Sequence, residues 1–338
     1  MIEDNMRVVE PRAGVEWPTI ALIGLVYSAW LGLTWFHDAI ALPLWLIAAA
    51  LSGTLWGSLQ HEIMHGHPTR SRALNEGLAT PPFWLWLPYE RYRQTHLCHH
   101  RDERLTDPLD DPESRYWRHE DWQKLSGPER CLVNAQSTLA GRLLIGPVWS
   151  IAMFWHDEAR AIFAGDHKRL RIWLWHGLWV ALALWWIIAI CGLPMWQYAL
   201  GFVLAPTAIT FIRSFAEHRA SDEIEKRTAI IENSWILGPL FLFNNLHFVH
   251  HSHPGLPWYR LPAVYQRHRE DFLRANDGLV YQGYGEIFRR YLVRAHDSAC
   301  HPTGRALFRN GALPPNPRDP TNDIVADDGA RTFVHRAI

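Results

Sequence analysis

Residues Trp17 to Ser58 read WPTIALIGLVYSAWLGLTWFHDAIALPLWLIAAALSGTLWGS, and their only formal charge is Asp38. The run contains no Lys or Arg and is about twice the ~20 residues a helix needs to cross a bilayer. It breaks near its middle, at His37-Asp38. That predicts a helical hairpin with spans at about 17–36 and 41–59. A second run, Ile172 to Ile212, carries no charge and breaks at Gly192-Leu193-Pro194. It predicts a second hairpin, about 172–191 with 195–213. A soluble core seldom needs four uncharged spans. The expected fold is therefore an all-α integral membrane protein of two transmembrane hairpins, with a polar helical cap.

The overall composition hides this. The 338 residues include 33 Lys+Arg and 34 Asp+Glu, for a net charge of −1, and the mean hydropathy is −0.15. Those averages suggest a soluble enzyme. All the basic residues, however, lie outside the two runs. The positive-inside rule then puts the N-terminus, the 59–171 segment and everything after 213 in the cytoplasm. The balanced charge argues against nucleic acid as a partner. Among the 19 Trp, positions 17, 30, 35, 56, 173, 175 and 196 fall near expected helix ends, where the ring suits the membrane interface. Trp179, Trp185 and Trp186 sit deeper. The four Cys are widely spaced and form no CxxC, so neither a disulfide framework nor a thiolate metal site is expected. The first apolar run leads into a second span rather than a small-residue cleavage site, so no signal peptide is expected.

Three regions follow: a polar lead-in over 1–16, a membrane domain over 17–301, and a loosely ordered tail over 302–338. Within the domain the second helix should continue to His67, where Pro68 stops it. The stretches 77–88 and 139–156 are apolar but broken, and read as interfacial or re-entrant segments. The last span should extend to Arg219, and a helix is expected over about 284–295.

The sequence holds 20 His, and nine of them are grouped. They are His61 and His65 in HEIMH; His96, His99 and His100 in HLCHH; His218 in RSFAEHR; and His247, His250 and His251 in HFVHH. Residues i, i+3 and i+4 share one helix face. Each cluster can therefore aim two or three imidazoles at one point, and neutral imidazole is a good ligand for Fe, Zn, Cu or Ni. Nine ligands exceed what one ion takes, so two metals are inferred. HEIMH alone also matches the HExxH of membrane zinc proteases, with Glu62 as general base. That reading leaves both HxxHH groups unexplained.

The order HxxxH, HxxHH, lone His, HxxHH, threaded between two hairpins, resembles the membrane fatty-acid desaturase superfamily. That group includes acyl desaturases, hydroxylases, and carotenoid ketolases and hydroxylases. The likeness is most specific at His61–His67 (HEIMHGH), Arg93–Asp107 (RQTHLCHHRDERLTD) and Asn244–Pro262 (NNLHFVHHSHPGLPWYRLP). RSFAEHR with NNLHFVHH is also similar to a small bacterial subgroup that includes dihydrorhizobitoxine desaturase-like and rhizopine-catabolism proteins. The resemblance implies two iron ions held by His61, His65, His96, His99, His100, His218, His247, His250 and His251. Where some members carry Asn one turn before the lone His, this chain has Ser214. Asn244 and Asn245 are candidate polar neighbours of the site, and His67 and His253 lie beside the motifs but outside the pattern.

An unactivated C–H bond has no acidic proton, so the hard chemistry belongs to the metal and O2. The resemblance implies O2-dependent desaturation of a fatty-acyl or other lipid-like substrate in a bacterial inner membrane. The alternative is hydroxylation or ketolation of an alkane, fatty acid or carotenoid. Candidates to orient the imidazoles are Glu62, Asp102, Asp107, Asp110, Asp111 and Glu217. The chain carries no GxGxxG, CxxC or haem motif, so a separate ferredoxin- or rubredoxin-type donor with its reductase is expected. Arg70, Arg72, Arg91, Arg93, Arg101 and Arg104 would dock that donor or anionic membrane lipid.

Overall fold

The structure is a computed structural model that describes residues 14–101 and 104–302. The lead-in before residue 14, the tail after 302 and Asp102 lie outside the described residues. Four helices are long and apolar enough to cross a membrane: α1 (Trp17–Trp35), α2 (Leu42–Met64), α9 (His167–Ile190) and α10 (Met195–Ser214). Pro18 and Pro43 stand in the first turns of α1 and α2, where a missing N–H costs nothing. The two hairpin tips meet, with His37 Nε2 3.0 Å from the Cys191 carbonyl. Both tips thus share one end of the bundle, and the long polar segments share the other.

Helix α2 is the most buried of the four and α9 the most peripheral. Leu174, Trp175, Leu178, Leu182, Trp185 and Ile188 of α9 are exposed. That is what a lipid-facing helix presents, because apolar side chains need no covering there. Close approach is enabled by glycine on α2. A Cβ on Gly57 would lie 2.4 Å from the Trp84 ring, and one on Gly53 would lie 2.6 Å from Pro206. Polar groups inside the bundle are matched across elements, as hydrocarbon requires. Trp30 Nε1 donates to the Tyr198 hydroxyl at 2.9 Å, and that hydroxyl donates to the Phe83 carbonyl at 2.7 Å.

The other elements build the polar end. They are α3 (Arg72–Ala79), α4 (Tyr89–His99), α5 (His119–Lys124), α6 (Gly127–Gln136), α7 (Leu139–Leu144), α8 (Gly146–Phe163), α11 (Leu237–Leu240), α12 (His247–Ser252), α13 (Leu261–Ala275) and α14 (Tyr284–Tyr291). The chain is mostly helical, as expected, with one short strand pair among the described residues. It joins β1 (Ile230–Ile231) in parallel with β2 (Val280–Tyr281), pairing Ile230 with Val280 and Ile231 with Tyr281. Both isoleucines are buried, so their backbone groups must find partners.

Other boundaries also shift. Helix α2 stops at Met64 because Gly66 takes a left-handed φ of 93°. The last span ends at Ser214 rather than Arg219, as His218 leaves the helix to bridge antiparallel to Thr228. The 77–88 segment is neither span nor surface layer: Phe83, Trp84 and Trp86 are buried in the bundle core. Trp30 and Trp56 are buried in that same core, so they are not interface anchors. The break expected in 139–156 falls between α7 and α8.

Candidate metal centre

Helix α2 delivers His61 on its last turn and His65 at its cap. Helix α4 delivers His96 and His99, with His100 as its cap, and α12 delivers His247, His250 and His251. The bridge to Thr228 sets His218. All nine sequence-predicted histidines come together, in two groups. The first is His61, His65, His96, His100 and His250; the second is His99, His218, His247 and His251. Within each group the ligand atoms lie within 4.8 Å of one another. The groups abut, with the His100 and His251 rings stacked at 4.1 Å between centroids.

The division follows helix geometry. Adjacent residues on a helix point about 100° apart, while i and i+4 share a face. Each HxxHH therefore splits. His96 and His100 join the α2 pair, and His99 crosses to the other group. His247 and His251 join His218, and His250 crosses over.

Hydrogen bonding orients the rings. His96 Nδ1 lies 2.9 Å from Glu113, and His99 Nδ1 lies 2.9 Å from Asp111. His247 Nδ1 lies 3.2 Å from Asn244 Oδ1. Each of these partners accepts, so each Nδ1 carries a proton; His96 and His247, which stay neutral, keep a lone pair on Nε2. The Nε2 atoms converge. His218 Nε2 is 2.9 Å from both His99 Nε2 and His247 Nε2. His100 Nε2 is 2.9 Å from His96 Nε2 and 3.1 Å from His250 Nε2. Each close pair is either an N–H···N hydrogen bond, set by the tautomer, or two nitrogens placed to share a cation. His61 Nε2 is buried with no hydrogen-bond partner, which fits the shared cation. The donor set is all imidazole nitrogen, suited to a first-row transition metal.

The electrostatics agree. Burial, reinforced by neighbouring imidazoles, holds His96, His100, His218, His247 and His250 well below the usual histidine range. They stay neutral, the form a metal binds. His99 differs: burial opposes its charge, but Asp111 and Glu113 outweigh it and push it up to about 9. Burial and Glu113 raise Glu217 to about 7 against the pull of Arg213.

The proposed orienting residues divide. Asp111 and Asn244 bond to imidazoles, while Glu217 comes only within 3.4 Å of His247 Nδ1. Asp107 instead accepts from the Leu109 and Asp110 backbone, and Asn245 donates to the Ile231 carbonyl. Glu62 turns away from the histidine groups, accepting from the Trp258 N–H at 2.9 Å and lying 3.8 Å from His67. It does not face the metal groups as a protease base would. Glu113 was missed, although it closes the acidic run Asp110-Asp111-Pro112-Glu113 in which its neighbour was chosen. Arg91 and Arg93 are buried, Arg91 against Glu158 at 3.0 Å, and so are not surface docking groups.

A family model described as fatty acid desaturase matches residues 39–283. The chain belongs to the fatty acid desaturase family. That family is one of membrane oxidoreductases, consistent with the four apolar helices. This desaturase-family chain is also similar to two curated proteins, both described as beta-carotene ketolase. One, from Paracoccus sp. (strain N81106 / MBIC 01143), is 26% identical over 275 residues, covering 75% of this chain and 95% of the relative. The other, from Paracoccus sp. (strain PC1), is 27% identical over 276 residues, covering 75% and 96%.

Proposed function

We propose that this chain is a membrane-bound non-haem di-iron oxidase that desaturates a fatty-acyl or other lipid-like substrate. The observation that carries the reading is the convergence of nine imidazoles, six of them buried and three half-buried, into groups of five and four. Iron held there supplies O2 activation and removal of hydrogen atoms from an unactivated C–H bond. The balance is one O2, two electrons and two protons consumed, with a carbon–carbon double bond and two waters formed. The electrons come from a separate ferredoxin- or rubredoxin-type donor with its reductase, at the cytoplasmic face of a bacterial inner membrane.

The chain's own residues hold and orient. Glu113, Asp111 and Asn244 fix the rings of His96, His99 and His247. A pocket bounded by Trp84, Trp86, Tyr92, Phe211 and Thr210 reaches Glu113. Arg213 and Ser214 also line it, and at about 20 Å³ it admits an apolar chain only if its aromatic walls part. A second reading, hydroxylation or ketolation on the same site, is favoured by the two ketolase relatives, which are matched over nearly their full length.

Expression in a lipid-defined host followed by mass spectrometry of lipids and metabolites tests both. Loss of two hydrogens is the expected result, and gain of oxygen supports the second reading. Purified protein containing one zinc and no iron would sink both.

A further inference from the structure

Arg142, on α7, is 7% exposed, and its guanidinium has no hydrogen-bond or ion-pair partner among the described residues. It stacks on the Phe211 ring at 4.2 Å. Burial and the neighbouring Arg115 push it down to about 9, yet a guanidinium keeps its proton in proteins. A buried, uncompensated cation is costly. The surrounding charges do not relieve it. Asp297 lines the same cavity but makes no ion pair with Arg142, and its Oδ2 already takes Arg115, the Tyr116 hydroxyl and His296. Arg115 is bound in turn to the Phe215 and His218 carbonyls.

Arg142 stands between two cavities. The inner one touches His99 and His218. The outer one, of about 40 Å³, adds Gln136, Ser137 and Ser298 as polar neighbours. At roughly 10–15 Å³ per water, that is room for a few waters or one small charged group, and not for a hydrocarbon chain. Close in sequence, Leu144 of α7 and Val148 of α8 are exposed at 81% and 60%.

We propose that the outer cavity is an oxyanion site, in which a phosphate or carboxylate group pairs with Arg142 and bonds to Gln136, Ser137 or Ser298. The site is separate from the histidine groups and does not depend on which reaction they perform. The oxyanion is either a lipid headgroup, with its tails against the apolar faces of α7 and α8, or a soluble anion.

The test uses the full chain purified in neutral detergent, as wild type, Arg142→Leu and Arg142→Gln. Thermal unfolding and native mass spectrometry are followed with four additions: inorganic phosphate, sodium chloride at matched ionic strength, phosphatidylglycerol, and phosphatidylcholine. Wild type should unfold at higher temperature with at least one of the two anionic probes, but not with chloride or phosphatidylcholine. A response to phosphate identifies a soluble anion, and a response to phosphatidylglycerol alone identifies a headgroup. Both variants should bind the active probe at least tenfold more weakly. Without any probe, Arg142→Leu should unfold no lower than wild type, since it sheds an unpaired charge. The proposal is overturned if wild type ignores both anions, responds equally to phosphatidylcholine, or loses no affinity on substitution. The wild-type arm decides even if neither variant folds.

Discussion

The Nε2 atoms of His99 and His218 lie 2.9 Å apart although 119 residues separate them in the chain. Shared engagement of one cation is one reason for two imidazole nitrogens from such distant segments to meet there. His99 and His250 represent the two groups, one from each. His99→Ala and His250→Ala should each abolish product formation and lower the iron content of the purified protein. Product measured by mass spectrometry above a tenth of the wild-type amount in both variants would refute the ligand assignment.

Glu113 acts on the site through His96. Replacing it with Gln keeps its size and removes the charge that holds the ring's proton on Nδ1. Loss of such a partner typically weakens metal binding about 10–100-fold. Glu113→Gln should therefore lose iron to a chelator at concentrations that wild type survives, with its unfolding temperature little changed. Equal retention of iron would show that Glu113 does not orient the ring.

Thr210 lines the aromatic pocket and is only half-buried, so a larger side chain can be placed there. Substrate can use this narrow pocket only if its walls part, and Thr210→Phe should oppose that opening. The expected outcome is a shift toward shorter or less branched products, or a raised KM, with iron content unchanged. An unaltered product profile would place the substrate elsewhere.

Asp297 offers a pH test away from the histidines. Burial alone would raise it, but hydrogen bonding from His296 and the charge of Arg115 hold it well below the usual carboxylate range. A depressed carboxylate stabilises the fold above its unfolded pKa of about 3.9 and loses that contribution as pH falls toward the folded value. Asp297→Asn should cost about 1–3 kcal/mol at neutral pH, because Arg115 and Tyr116 lose their acceptor. The gap between wild type and variant in thermal unfolding should be constant above about pH 7, where His296 is neutral in both, and narrow below about pH 4 as Asp297 itself protonates.

The charge-free runs made the four spans legible to within a few residues, because in hydrocarbon every charge must be excluded or paired. The histidine spacing likewise made eight of the clustered histidines visible, while His218, alone in its segment, was indicated by the family resemblance. What spacing could not show was the 5:4 partition, which depends on how α4 and α12 rotate against α2. The fate of 77–88 was also hidden. Its prolines and tryptophans read as a re-entrant or interfacial segment without deciding between them, and the gap left by Gly53 and Gly57 on α2 lets Trp84 enter the core. Trp30 and Trp56 were misplaced for a related reason, since position along a helix does not reveal which face meets protein. Glu113 has a local sequence like many surface acids, and only the fold brings it to His96.

The bond from Trp30 to Tyr198 ties the timing of biogenesis to the architecture. A ribosome adding about 5–20 residues per second needs roughly ten to thirty seconds to make the 168 residues between them. During that interval the first hairpin is in the bilayer with its indole donor unmet. The early half of the protein is therefore provisional until the late half arrives, and chains that stall before Tyr198 should be visible to the cell as unfinished.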